Sequence, residues 1–208
     1  MYEFQDSDCH LPGRDTLLQS KPFTQRATTL APMVYYRDVP VPFSPTDYEA
    51  LRQMRTSSGF YVDHIPLWAQ QIVASKRRLY FMYLSDPSTY GAAPVGMVSL
   101  SFENPQDSTL ASFFSTGRVE ITSLFIYAAY RHLRLGIMAM MEMERRAVEF
   151  GASAVTLNTP AIEASLRVYR DLGYREYKRT TGYSRSDVVG AFMPPENVVA
   201  TFLEKRLR

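Results

Sequence analysis

The segment from Leu124 to Gly136 carries the clearest chemical pattern in the sequence. Its apolar first part predicts a buried strand, and the residues that follow predict a short basic loop and then a helix. The first turn of a helix has unpaired N–H groups and a partial positive charge, and Arg131, His132 and Arg134 add cationic side chains there. The pattern predicts a site for a phosphate or pyrophosphate group, although a solvated basic turn fits the same residues.

Composition and charge narrow the class of protein. A length of 208 residues suits one domain, and 46% hydrophobic and 21% charged residues are typical of soluble globular proteins. The net charge of +2 is too balanced for a nucleic-acid-binding protein, which usually presents a basic face. The basic cluster Lys76–Arg78 is predicted to be a solvated helix face.

The number of cysteines and the distribution of apolar residues indicate where in the cell the protein is expected. Cys9 is the only cysteine, which excludes a disulfide within the chain and a cysteine-rich zinc site. No run approaches the roughly 20 apolar residues of a membrane helix, and Met1–Arg14 lacks the apolar stretch of a signal peptide. We therefore expect a cytoplasmic protein that uses no metal and binds neither membrane nor nucleic acid.

The elements that position these residues form a mixed α/β pattern. Residues 1–32 are polar and irregular and are expected to be an extension of uncertain order before a domain at 33–208. The predicted elements are, in order, a strand at 34–36, a helix from Ser44–Pro45 to Gly59, a helix at 66–77, strands at 79–84, 95–100 and 118–127, a helix at 136–150, a strand at 154–157, a helix from Thr159–Pro160 to Gly173, and strands at 174–179 and 198–205. Alternation along 118–127 places Glu120 on one face with Leu124 and Ile126.

The basic loop resembles a known cofactor-binding motif. Residues 131–136, RHLRLG, are similar to the acyl-CoA loop Q/R-x-x-G-x-G/A of the GNAT superfamily of N-acetyltransferases. Arg131 and Gly136 match this motif. Arg134 departs from it, because it stands where the first glycine is expected.

A second stretch, Glu163–Tyr174, resembles the family's motif N-x-x-A/S-x-x-L-Y-x-x-x-G-F/Y. Ser165, Tyr169 and Gly173 match it, and Ile162 stands where asparagine is common. Residues 94–100 and 202–207 are similar to two further strands of the family. The resemblance spans about residues 34–207.

The resemblance implies a GNAT-like fold, with a central mixed, mostly antiparallel sheet whose splayed strands are flanked by about four helices. It implies acetyl-CoA as cosubstrate, its pantetheine pairing with backbone freed by two splayed parallel strands and its pyrophosphate held by loop amides. The cofactor-binding residues that it implies are Leu124, Phe125, Ile126, Arg131, His132, Leu133, Arg134, Leu135, Gly136, Ile137 and Ser165.

The resemblance also implies the chemistry, which is direct attack of a neutral amine on the thioester. Glu120 is the candidate general base, since family members often use a carboxylate on this strand, and the alternative is a carboxylate paired with an arginine or facing solvent. Tyr169 is the candidate acid that protonates the leaving thiolate, and the alternative is a core tyrosine. His64 is expected to be an ordinary loop residue. Trp68, with its neighbours at positions 60 and 61, lines either an acceptor pocket or the core.

Three functions fit these residues. The first is an acetyl-CoA-dependent N-acetyltransferase acting on a primary amine of a small molecule, as a monomer or homodimer. The second is a degenerate GNAT domain that binds acyl-CoA or a protein partner without turnover, which Arg134 and Ile162 favour. The third is an N-acetyltransferase acting on peptides or proteins.

Overall fold

The computed structural model describes residues 33–59, 62–86, 88, 91–181 and 199–208. The predicted extension at 1–32, the residues at positions 60 and 61 and most of the loop before the last strand lie outside these ranges. The helices are α1 (Pro45–Ser58), α2 (His64–Val73), α3 (Phe113–Thr116), α4 (Leu135–Glu149) and α5 (Glu163–Asp171), with a 3₁₀ helix at Ala128–Leu133. The strands are β1 (Tyr35–Asp38), β2 (Arg77–Tyr83), β3 (Gly96–Ser101), β4 (Arg118–Ile126), β5 (Ala154–Pro160), β6 (Arg175–Thr181) and β7 (Val199–Arg206).

The strands form one seven-stranded sheet in the order β1-β2-β3-β4-β5-β7-β6. Every neighbouring pair is antiparallel except β4 and β5, which are parallel. The fold class is therefore mixed α/β with a mostly antiparallel sheet, as predicted. No helix in the described part of the chain has the length and apolar character needed to cross a membrane.

Each face of the sheet buries its own apolar core. On one face α4 packs against β3 and β4, and Tyr80, Ile121 and Met143 belong to this core. On the other face Trp68 of α2 and Leu51 of α1 pack against β2 and β3. The side chains that alternate along the central strands therefore point either to the α4 side or to the α1–α2 side.

The ends of α1 agree with the sequence signals. The Ser44 hydroxyl accepts a hydrogen bond of 3.1 Å from the amide of Asp47, and Pro45 is the first helical residue. Gly59 ends the helix in the left-handed conformation, with φ of 75°. Local capping chemistry therefore sets both ends of this helix.

The predicted second helix is wrong at its C-terminal end. It stops at Val73 rather than at Arg77, and Ser75 takes a φ of 57° where the chain turns into β2. Arg77 is the first residue of β2, directly opposite Ser101 of β3. Pairing with a distant strand overrides the local helical pattern here. Arg77 is only 8% exposed, so the expectation of a solvated helix face is wrong for this residue.

The predicted start of the last helix is also wrong. Thr159 and Pro160 end β5, where they lie opposite Thr201 and Ala200 of β7, and α5 begins only at Glu163. Threonine followed by proline is a frequent helix start, but the β7 partner extends the strand. Proline is tolerated at this position because a strand end needs no further N–H donor.

Candidate active site

The two parallel strands separate partway along the sheet. Their pairing ends at Glu120 opposite Thr156. Beyond that point β4 stays paired with β3 as far as Ile126, while β5 stays paired with β7 as far as Pro160. A cavity of about 540 Å³ is lined from both sides of the gap, by Ile121–Leu124 of β4 and Leu157–Pro160 of β5. Its volume lies in the range of small-ligand sites.

A β-bulge in β4 changes which side chains face this gap. Ser99 is opposite Thr122 and Met97 is opposite Phe125, so two residues of β4 face one of β3. Ser123 in the bulge has a φ of 55°. The predicted strict alternation is therefore wrong beyond Thr122. Ile126 belongs to the core on the α4 side, and Phe125 belongs to the core on the α1–α2 side.

Gly96 allows β3 to approach the end of β4. An added Cβ at this residue would lie 2.4 Å from the carbonyl oxygen of Phe125, a distance that no side chain can accept. Only glycine therefore fits opposite Ile126. The contact holds the strand end that leads to the basic loop.

Glu120 lies where the two strands begin to separate. Its side chain lines the cavity and is only 5% exposed. The Asn104 side-chain nitrogen donates a hydrogen bond of 3.2 Å to its carboxylate. Burial raises the pKa of Glu120 to about 7, although the bond from Asn104 and the charge of Arg77 act in the opposite direction. A carboxyl with this pKa can accept a proton near neutral pH.

The loop that carries Asn104 is held in place at both of its ends. The Asn104 side-chain oxygen accepts bonds of 3.1 Å from the amides of Gln106 and Asp107, which leaves its nitrogen to reach Glu120. Asp107 forms an ion pair of 2.6 Å with Lys178 of β6. Asn104 is not among the predicted site residues, because Asn104 followed by proline signals a turn and nothing in that signal indicates Glu120 as its partner.

Tyr169 lines the same cavity from α5. Its ring packs edge-on against Tyr174, with centroids 6.0 Å apart. Burial raises the pKa of Tyr169, so its phenol keeps its proton at neutral pH. Ser165 lies one turn earlier on α5 and is half-buried.

The basic loop forms a 3₁₀ helix that runs directly into α4. Arg134 joins the two with φ of 59° and ψ of 19°. It therefore adopts a left-handed conformation, which glycine, the residue expected here in the motif, takes without strain. The Arg131 side chain donates a bond of 3.0 Å to the carbonyl oxygen of Ile126, which ties the loop to the strand end.

The left-handed Arg134 gives a test of backbone strain. The left-handed conformation costs a residue with a Cβ roughly 1–2 kcal/mol. Glycine avoids this cost but loses part of the gain, because its unfolded state has more conformational entropy. We expect Arg134→Gly to raise the free energy of unfolding by about 0.5–1 kcal/mol relative to Arg134→Ala. Both variants lack the guanidinium, so chemical denaturation of the pair isolates the backbone effect. An equally stable pair would contradict the strained conformation.

Apart from Ser165, which is on α5, the predicted cofactor-binding residues lie along the end of β4 and the start of α4. Leu124 lines the cavity. The side chains of Phe125 and Ile126 are buried in the two cores, so that only backbone groups of these residues can form hydrogen bonds in the gap. Arg131, His132 and Arg134 are exposed, Leu133, Gly136 and Ile137 are partly buried, and Leu135 is buried. The Ile137 amide already donates a bond of 3.1 Å to the carbonyl oxygen of Arg134.

The space at Gly136 fits the approach of a bulky group. A Cβ added there would meet only the end of the Ile126 side chain, at 3.7 Å. Gly136 is the second residue of α4, and the first amides of a helix have no partner within it. The position therefore combines open space, unpaired donors and nearby cationic side chains.

The cavity extends from Glu120 to the α1–α2 side of the sheet. Its lining there includes His64, Trp68, Gln71 and Arg77. His64 begins α2 rather than lying in a loop as expected, and Trp68 both packs in the core and lines the cavity. Arg77 is not among the predicted site residues, because the sequence indicates only a solvated basic cluster there.

Comparison with known proteins identifies the class. Residues 45–174 match the model of the acetyltransferase (GNAT) family, and the chain belongs to that family. It is accordingly an N-acetyltransferase. A comparison with curated proteins finds no match to this chain.

Solved structures share the fold at low sequence identity. An acetyltransferase of the GNAT family from Staphylococcus aureus Mu50 is 15% identical with a TM-score of 0.55, over 85% of this chain and 100% of that one. The spermidine/spermine N-acetyltransferase from Vibrio cholerae is 10% identical with a TM-score of 0.60, over 83% and 92%. The ribosomal-protein-S18-alanine N-acetyltransferase from Escherichia coli is 12% identical with a TM-score of 0.56, over 84% and 94%.

Proposed function

We propose that residues 33–208 transfer an acetyl group from acetyl-CoA to a primary amine of a small molecule by direct attack. The observation that carries this proposal is that Glu120 and Tyr169 line one cavity at the point where β4 and β5 separate. One of these groups is suited to accept a proton and the other to donate one. Acetyl-CoA, the cosubstrate of the family, supplies the acetyl thioester.

The residues present fit this cosubstrate. Beyond Glu120 the edge of β4 is not paired with β5, so its backbone can pair with the amide groups of the pantetheine arm. The first amides of α4, at Leu135 and Gly136, are suited to the diphosphate, as expected of a helix N-terminus. Arg131 and Arg134 add positive charge there.

The two catalytic candidates have complementary protonation states. Glu120, with a pKa raised to about 7, is partly ionised at neutral pH and can take a proton from the attacking amine. Tyr169 keeps its proton and can give it from its hydroxyl to the leaving sulfur. Transfer of the two protons in this way avoids releasing either a cationic product or a free thiolate into a poorly hydrated site.

The shape of the site favours a small acceptor. The cavity of about 540 Å³ includes the gap between the strands, so that only part of it is open to the acceptor. The loop with Asn104 and the start of α2 border this part. A short amine fits such a space more readily than a folded protein surface.

A thiol-release assay tests the proposal. We expect the full chain to liberate CoA from acetyl-CoA only when a primary amine is added, with the acetylated amine detected by mass spectrometry. If CoA raises the melting temperature but no amine is acetylated, the domain binds without turnover and the proposal fails. If peptides are acetylated far better than every small amine, the acceptor class proposed here is wrong.

A further inference from the structure

Arg77 is a buried cation held in place by neutral groups. Its Nε donates a bond of 2.7 Å to the side-chain oxygen of Gln71, and its Nη1 donates one of 2.6 Å to the hydroxyl of Ser99. The guanidinium also lies over the Trp68 ring, 5.2 Å from the centroid. These contacts fix the orientation of the group, and Nη2 donates no hydrogen bond to any residue that the structure describes.

The charge of Arg77 is not neutralised by an ion pair in the described part of the chain. Glu103, which also lines the cavity, is paired with Lys76 at 2.6 Å, and Glu120 forms no ion pair with Arg77 among the described residues. Burial lowers the pKa of Arg77 to about 10, while the charge of Glu120 acts in the opposite direction. A buried cation with little compensation is a strong site for an anion.

The geometry relates this cation to the candidate base. Arg77 lies opposite Ser101, and Ser101 lies opposite Glu120, so the three residues form one row across β2, β3 and β4. Residues in such a row point to the same face of the sheet, here the α1–α2 side. Two strand spacings separate the Cα atoms of Arg77 and Glu120 by about 10 Å. Both side chains line the one cavity.

Building on the proposed function, we propose that the acceptor is a primary amine that carries a carboxylate, and that Arg77 binds this carboxylate while the amine lies at Glu120. The distance between the two residues suits a compact amino acid, in which few bonds separate the amine from the carboxylate. The planar guanidinium offers donors that a carboxylate can accept.

The same arrangement disfavours two other kinds of acceptor. A polyamine would bring a second ammonium group close to Arg77, and like charges in a buried site repel each other. A neutral monoamine would leave the guanidinium without an anionic partner. The proposed substrate preference therefore depends on the buried charge of Arg77.

Matched pairs of compounds test this proposal in the wild-type chain. The acids are glycine, β-alanine, 4-aminobutyrate and L-phenylalanine, and their partners without a carboxylate are methylamine, ethylamine, propylamine and phenethylamine. We expect kcat/KM in the thiol-release assay to favour the acid at least tenfold in one or more pairs. If the amines react as well as the acids in all four pairs, the proposal is overturned.

A binding measurement separates this proposal from the proposed function. The N-acetyl forms of the same eight compounds are titrated calorimetrically into the chain in the presence of CoA. We expect at least one N-acetyl acid to bind tenfold more tightly than its partner, whether or not the chain turns over. Acetylation of amines without any such preference would retain the function and overturn the carboxylate site. A binding preference for the N-acetyl acids without any turnover would retain the carboxylate site and overturn the proposed function.

Two variants locate the effect. Arg77→Met is expected to abolish the preference for the acids, and Arg77→Lys is expected to retain part of it. Arg78→Met is the matched control, because this substitution removes the same charge as Arg77→Met. Arg78 neighbours Arg77 on β2, but its side chain points to the opposite face of the sheet. An unchanged preference in Arg77→Met, or an equal loss in Arg78→Met, would contradict the assignment. Should Arg77→Met fail to fold, the wild-type comparisons still decide.

Discussion

Glu120→Gln is expected to lower kcat at least 100-fold while leaving the affinity for CoA unchanged. General base catalysis typically contributes between about 10² and 10⁴ in rate, and glutamine cannot take the proton of the amine. Glutamine has nearly the same shape and its side-chain oxygen can still accept the bond from Asn104. Steady-state kinetics with calorimetric titration of CoA checks both parts. A variant with kcat within threefold of the wild type would exclude Glu120 as the base.

The pH dependence gives the same prediction a second readout. Since the base must be ionised, kcat/KM per neutral amine is expected to rise with pH and level off above about 7, where burial places the pKa of Glu120. Glu120→Gln is expected to lose this limb. If kcat/KM of the variant still rises with pH in this range, the rise belongs to the titration of another group.

The free energy of unfolding depends on the same carboxyl, but it falls as the pH rises, whereas kcat/KM rises. The pKa of Glu120 in the folded chain, about 7, lies above its ordinary value of 4.5. Its contribution to the free energy of unfolding is therefore fully present below pH 4.5 and is lost as the pH rises through 7. Glu120→Gln removes this decline. Unfolding curves at pH 5 and pH 8 also verify that the variant is folded.

Gly136→Glu is expected to weaken CoA binding at least 100-fold without destabilising the fold. A Cβ at this position meets only the end of the Ile126 side chain, at 3.7 Å, so that a longer side chain has room to project into the space assigned to the diphosphate. A carboxylate in the first turn of a helix stabilises the helix by about 0.3–1 kcal/mol, yet it repels a bound diphosphate.

Gly136→Ala is the matched control for this variant. Its methyl group fits the same space without a charge, so we expect it to lower CoA affinity less than tenfold. Calorimetry gives the affinities, and thermal unfolding is expected to show melting temperatures at or above that of the wild type. Wild-type affinity in Gly136→Glu would place the diphosphate elsewhere.

The sequence predicts the elements whose signals are local. The cap at Ser44–Pro45, the glycine that ends α1 and the hairpin of β2 and β3 all follow from residues within a few positions of each other. The strand, basic loop and helix around residues 124–136 also follow, because the end of a buried strand and the start of an amphipathic helix each have a clear periodicity.

The features that the sequence does not predict depend on distant partners. Arg77 and Pro160 belong to strands because Ser101 of β3 and Ala200 of β7 pair with them, whereas the local pattern around each residue favours a helix. The contact between Asn104 and Glu120 joins a turn to a strand 16 residues later. The bulge at Ser123 uses a residue that rarely adopts positive φ, so composition offers no sign of it.

A crystal structure of the chain with CoA tests the central claim most directly. We predict the diphosphate within hydrogen-bonding distance of the amides of Leu135 and Gly136, the pantetheine between β4 and β5, and the sulfur in the cavity beside Tyr169. A nucleotide bound away from the start of α4, or an arm that does not enter the gap between these strands, would contradict the account.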